Sequence, residues 1–144
     1  MNILVDIGHP GHVHLYKHFI REMKNKDYKV IVTVKNIESA ITLLKKYGIA
    51  YINIGKKKDS LFNKAINQIL YNYKLYRIIK KEKINIGVGT SISLAHVTKL
   101  TQIKSFFLED DDDKVIPFSV KYGHPFVTCM LSPIILKGKQ KRKD

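Results

Sequence analysis

A single cysteine, Cys129, is all the sequence offers for thiol chemistry, and it cannot close an internal disulfide. Set inside an apolar run, it reads as a small buried hydrophobe. No apolar run is long enough to span a bilayer, and Met1 leads into a strand without a basic leader or cleavage site, so a cytoplasmic chain is expected. Acids are few, 12 against 26 lysines and arginines, for a formal charge of +14. Such an excess suits nucleic acid, an anionic membrane surface or a lysine-rich proteome. The lysines are spread over every expected helix and cluster only at Lys56 to Lys58 and Lys137 to Lys143, a weak pattern for a nucleic-acid groove. Helix-turn-helix, zinc-finger and aromatic RNA-recognition signatures are missing, and nucleic acid is set aside as a partner. Weak association with an anionic membrane surface stays open.

What is present is concentrated in Asn2 to Leu15, NILVDIGHPGHVHL. Ile3, Leu4, Val5 and Ile7 make an apolar strand that ends in Gly8, and His9, Pro10, Gly11, His12 and His14 follow at once. This predicts a buried first strand, a tight turn and a helix whose first turn carries imidazoles. In an open α/β sheet the ligand lies outside the carboxyl ends of the strands, where helix amino termini attract anions. The site is therefore expected at this turn. It is not a phosphate loop, since GxxxxGKS/T and GxGxxG are both absent there.

The rest of the 144 residues continues the alternation within what reads as one ordinary domain. A helix from about His12 to Lys24 buries Val13, Tyr16, Phe19, Ile20 and Met23. Lys29 to Val34 is a second strand, and Asn36 is the expected N-cap of a helix with Ile37, Ala40, Ile41 and Leu44 inward and Gly48 at its end. Ala50 to Ile54 is a third strand. A long helix, capped by Asp59 or Ser60, runs from Leu61 to about Lys80 with Leu61, Phe62, Ala65, Ile66, Ile69, Leu70, Tyr73, Tyr76 and Ile79 in its buried stripe. Its tyrosines and lysines also suit a membrane or partner surface, but a core helix with snorkelling lysines is the expected reading. Ile84 to Val88 makes a fourth strand, and Gly89, Thr90 and Ser91 form a second small-residue turn where substrate can approach backbone N–H groups. Ile103 to Leu108 is a fifth strand, followed by Glu109 and the aspartates 110–113. These are expected to cap a helix from Lys114 to Tyr122, or to place one or two carboxylates in the site. Phe126 to Leu131 is a sixth strand. The fold class is α/β, a Rossmann-like parallel sheet of about six strands with helices on both faces.

GHPGHVHLYK (Gly8 to Lys17), YINIGK (Tyr51 to Lys56), LEDDDDK (Leu108 to Lys114) and GHPFVTCMLSP (Gly123 to Pro133) together resemble domain-of-unknown-function family 354, in its amino-terminal half. That archaeal and bacterial family is similar to glycosyltransferases of the GT-B fold and to nonhydrolysing UDP-N-acetylglucosamine 2-epimerases. The resemblance implies two Rossmann-like domains, with acceptor and base in the first and the nucleotide-sugar donor mostly in the second. It implies a domain over residues 1–136, a basic tail or linker over 137–144, and an absent second domain. The chain is then a truncated half, inactive alone and without a cofactor of its own. Its partners would be that missing domain and a sugar or lipid-linked sugar acceptor.

Within that frame an imidazole after the first strand takes the proton from an acceptor hydroxyl. His12 and His9 are the leading candidates, with His14 carried round the helix. Asp6, an acid in an apolar strand, must be paired if buried; it, Asp110 and Asp111 are candidate orienters of the base. Gly8, Pro10, Gly11, His14, Gly89, Thr90 and Ser91 are expected to line the substrate. Zinc binding by His9, His12 and His14 is a rival, but the spacing fits no standard pattern and no metal is expected. Imidazoles that merely cap the helix are a third reading, and a non-enzymatic Rossmann-like binding or scaffold module is the alternative to an enzyme.

Overall fold

The computed structural model describes residues 1–56, 61–109 and 111–136, without the side chains of 56 and 61–65. In chain order the strands are β1 (Asn2–Ile7), β2 (Lys29–Asn36), β3 (Ile52–Lys56), β4 (Ile86–Gly89), β5 (Lys104–Leu108) and β6 (Cys129–Leu131). The helices are α1 (Pro10–Asn25), α2 (Glu38–Lys46), α3 (Leu61–Lys81), α4 (Ile92–Thr101) and α5 (Pro117–Tyr122). The strands form one sheet in the order β3-β2-β1-β4-β5-β6, every neighbouring pair parallel. This is the Rossmann-like α/β architecture expected from the alternating pattern, with β1 at the centre.

Alternation along β1 assigns the two faces. Ile3, Val5 and Ile7 pack with Val13, Tyr16 and Ile20 of α1 and Ala40 and Leu44 of α2. Leu4 points the other way, into a cluster with Leu75 and Ile79 of α3 and Leu94 and Val97 of α4. Each fully buried Leu or Ile contributes roughly 1.5–3 kcal/mol, so two such clusters fix β1 between two helical layers. At the end of α2, Gly48 at φ +63° lets its N–H reach Lys45 O and the Ile49 N–H reach Leu44 O, closing the last turn.

Several local expectations are corrected. Asn36 does not cap α2: it ends β2, and its Oδ1 accepts from Asn53 Nδ2 of β3 at 2.9 Å, a sheet contact that outcompetes the cap. The helix begins instead after Ile37, which makes no side-chain cap. β3 lies two residues later than expected, where a register shift at Val34/Lys35 and Gly55 at φ +134° let it follow β2. The aspartate run does not cap α5. Pro117 supplies the first helical residue, and Asp112 turns the chain locally by accepting from the Lys114 N–H. β6 is only Cys129–Leu131 because Pro125 favours a 3-10 turn over His124–Phe126.

The largest correction concerns α3. Ile66, Ile69, Leu70, Tyr73 and Tyr76 are exposed, while Tyr71, Leu75 and Ile79 are buried. The cause is polar: Gln68 Nε2 donates to Ser93 Oγ of α4 at 2.9 Å, and Asn72 Nδ2 lies 3.2 Å from His96 Nδ1. Those contacts turn the amide-bearing side of α3 inward and rotate the expected stripe out. Asp59 and Ser60, Asp110 and the tail 137–144 lie outside the described residues.

Candidate active site

β1 and β4 are neighbours from which the chain departs in opposite senses, β1 towards β2 and β4 towards β5. At such a switch point the two following loops diverge and leave a crevice at the carboxyl rim. The turn 8–12 and the turn 89–91 face each other across it.

Asp6 anchors the rim from beneath. It is fully buried, in register with Thr33 of β2 and Gly89 of β4. Thr33 Oγ1 donates to its Oδ1 at 2.6 Å, and Ser91 Oγ donates to its Oδ2. Ser91 Oγ also accepts from the Leu94 N–H at 3.1 Å as the N-cap of α4. One carboxylate thus ties β2, β1 and the start of α4 together. Gly89 is required for this closeness: a Cβ there would stand 2.9 Å from the Asp6 carbonyl oxygen and 3.2 Å from Leu94 Cδ2.

On the opposite turn, Pro10 starts α1 and His9 is its N-cap, its Nδ1 accepting from the Gly11 N–H at 3.2 Å. His12 folds back over the turn, and its Nδ1 accepts from the Gly8 N–H at 3.3 Å. That bond needs the Nδ1 lone pair and puts the proton of the neutral ring on Nε2. Thr90 Oγ1 lies 3.2 Å from both ring nitrogens of His12, which joins the two turns. His9 and His12 pack edge to face with ring centres 5.9 Å apart. His14 points along α1, its Nδ1 3.3 Å from the Tyr47 hydroxyl.

Above these turns opens a cleft of about 740 Å³ whose lining includes His9, His12, His14, Thr90, Glu109, Asp111 and Ser119. Glu109 was not singled out from the sequence. It follows the last residue of β5 and is 5% exposed, and its Oε2 lies 3.4 Å from Ser119 Oγ and 3.5 Å from His124 Nε2. The signal was available: an acid directly after an apolar strand sits at the same rim as the first turn, and the Gly-His-Pro tripeptide recurs at Gly123 to Pro125. Among the expected residues, His9, Gly11, His12, His14, Thr90 and Asp111 reach the cleft. Asp6 and Ser91 serve each other beneath it, with no imidazole among the hydrogen-bond partners described for Asp6. Among the described residues no group of three or more His, Cys, Asp or Glu is arranged to hold a metal ion.

The arrangement can receive an anionic or hydroxyl-bearing ligand. Two helix amino termini, two imidazoles and a buried carboxylate face one space, which supplies donors for phosphate oxygens and acceptors for sugar hydroxyls.

Sheet order, switch-point cleft and helical layers are those of one Rossmann-like half of a GT-B protein, and solved structures share the fold. UDP-GlcNAc 2-epimerase from Neisseria meningitidis, solved bound to UDP-GlcNAc, matches 92% of this chain and 40% of its own at 14% identity, TM-score 0.72. UDP-GlcNAc 2-epimerase from Methanocaldococcus jannaschii matches 94% of this chain and 40% of its own at 13% identity, TM-score 0.73. MurG from Acinetobacter baumannii matches 91% and 41% at 12% identity, TM-score 0.73. The chain spans less than half the length of each. No curated protein sequence matches it. The model of the family described as "Protein of unknown function (DUF354)" matches residues 1–142, and the chain belongs to that family.

Proposed function

We propose that this chain is the acceptor-binding half of a nucleotide-sugar-dependent glycosyltransferase or sugar epimerase of GT-B type, inactive without a donor-binding second domain. The observation that carries the reading is the joining of His12 and Thr90 across the β1/β4 switch point, in a cleft that also contains Glu109. The solved structures with this fold include an epimerase bound to UDP-GlcNAc, which supports a sugar-related ligand.

In this reading the acceptor lies on the α1 and α4 amino termini, and His12 holds or takes the proton of its hydroxyl. The Nδ1 contact to Gly8 is long at 3.3 Å, so a closer acceptor hydroxyl competes for that lone pair. Glu109 is the second group able to accept a proton or a sugar hydroxyl. His9 is bound into the helix cap and borders the site, and Asp111 meets the ligand from the β5 side. Gly11 and Thr90 shape the walls, while Gly8, Pro10 and Gly89 set the course of the two turns behind them. The sugar acceptor comes from cell-envelope polysaccharide or lipid synthesis, and the protein works in the cytoplasm.

Amide shifts test the site. Titrating N-acetylglucosamine 1-phosphate into the labelled chain should move the amides of residues 8–14 and 89–91 and Glu109. Shifts confined to residues outside the cleft would remove the proposal. A protein joining this chain to a donor domain should then release nucleotide from a nucleotide sugar. Binding without release would favour the non-enzymatic module.

A further inference from the structure

We propose that the outer face of α3 is a docking surface for an anionic phospholipid bilayer, on the side of the sheet away from α1 and α2. Ile66, Ile69, Leu70, Tyr73 and Tyr76 recur at helical spacing and are 36% to 68% exposed. Arg77 and Lys80 continue the same line towards the end of the helix, and Lys80 Nζ lies 5.8 Å above the Tyr76 ring. From Ile66 to Lys80 this face is about 21 Å long at the helical rise per residue, enough to lie in a membrane interface.

The charge pattern selects the occupant. Between Leu61 and Leu108 the sequence has eight lysines and arginines and one acid, Glu82. Glu82 is engaged by Lys29 Nζ of β2 at 2.7 Å. Neither α3 nor α4 contains an aspartate or glutamate. A second copy docked through this face would set the same cations against themselves, since a twofold contact pairs a patch with its own image. Nucleic acid would meet the cations but leave Ile69 and Leu70 without an apolar partner. A bilayer with anionic headgroups accepts all three features: aliphatic side chains in the acyl boundary, tyrosines at headgroup level and cations against phosphate. No helix among the described residues is long and apolar enough to cross the membrane, so the contact is in-plane.

The inference is independent of the cleft chemistry and is tested separately, by sedimenting the whole chain with phosphatidylglycerol–phosphatidylcholine vesicles and with phosphatidylcholine alone. Cosedimentation should require phosphatidylglycerol and weaken with salt. Ile69→Ser with Tyr73→Ser should lower the partition coefficient by at least about tenfold. Arg77→Gln and Lys80→Gln should each lower it by about fivefold. All four positions are on the exposed side, and an unchanged thermal midpoint verifies the fold of each variant. Absent cosedimentation overturns the proposal. So does binding that Ile69→Ser with Tyr73→Ser leaves unchanged, which would assign it to other basic surface. A dimer that the same double variant dissolves would assign the face to a second copy and overturn it too.

Discussion

The Ser91 hydroxyl donates to the Asp6 carboxylate and at the same time caps α4, so the second turn of the cleft is fastened to the central strand through one side chain. Asp6→Ala leaves the Ser91 and Thr33 hydroxyls buried without their common acceptor. Unfolding free energy should fall by about 3–5 kcal/mol. Asp6→Asn keeps one acceptor oxygen and should cost about 1–2 kcal/mol. Urea unfolding followed by circular dichroism measures both as a lower midpoint at unchanged slope; an unmoved midpoint for Asp6→Ala would show that the carboxylate holds nothing.

Gly89→Ala tests the approach of β4 to β1. The new Cβ would stand 2.9 Å from the Asp6 carbonyl oxygen, a backbone atom that cannot swing aside. A loss of about 1–3 kcal/mol is expected. Thr90 should move off His12 with it, visible as a shift of the Gly8 amide in the ¹H–¹⁵N spectrum.

His12 separates site from scaffold. His12→Ala removes the acceptor of the Gly8 N–H at a partly exposed position and should cost about 1 kcal/mol or less of stability. Affinity for a sugar phosphate should fall by about tenfold or more, the loss expected for one charge-assisted hydrogen bond. In the intact protein, imidazole ¹⁵N shifts should report the tautomer protonated on Nε2. Acidification then places a proton on Nδ1, and the Gly8 amide should titrate in step with His12. A Gly8 amide indifferent to that titration would contradict the bond.

Glu82 supplies a pH-dependent contact far from the cleft. The hydrogen bond from Lys29 is the largest influence and holds its carboxyl below the ordinary glutamate value; desolvation, next in size, opposes it, and the positive charges of Lys29 and then Lys81 add to the lowering. Because the folded value is the lower one, this contribution is complete above the unfolded glutamate range and is lost as pH falls through the folded value. Lys29→Met should raise the Glu82 titration midpoint, read by carboxyl ¹³C shifts; an unchanged midpoint would dissociate the two residues. At this exposed site salt should weaken the effect.

Sheet and rim were legible because parallel strands buried on both faces read as apolar runs, and Gly8 and Gly89 mark their carboxyl ends. The pairing of the two turns follows from strand order once β1 is central. Two features were not legible. The rotation of α3 depends on Gln68 and Asn72 meeting Ser93 and His96, side chains some 25 residues away in sequence whose contact no periodicity announces. Glu109 was hidden by its own surroundings: an acid ahead of the aspartates 110–113 looks like part of a solvated run, whereas closure of Ser119 and His124 over it makes it a buried carboxylate.

The all-parallel order also governs how the molecule comes into being. β1 is synthesised before the other five strands, yet its β4 partner is Ile86–Gly89, and everything between them must be made before that edge can join. Parallel strands cannot zip as local hairpins, and such long closures are slow. On the ribosome β1 has β2 as an early neighbour on one side while its other side waits for β4. The His12 to Thr90 junction therefore forms late, and nascent chains arrested before Thr90 carry imidazoles but no cleft.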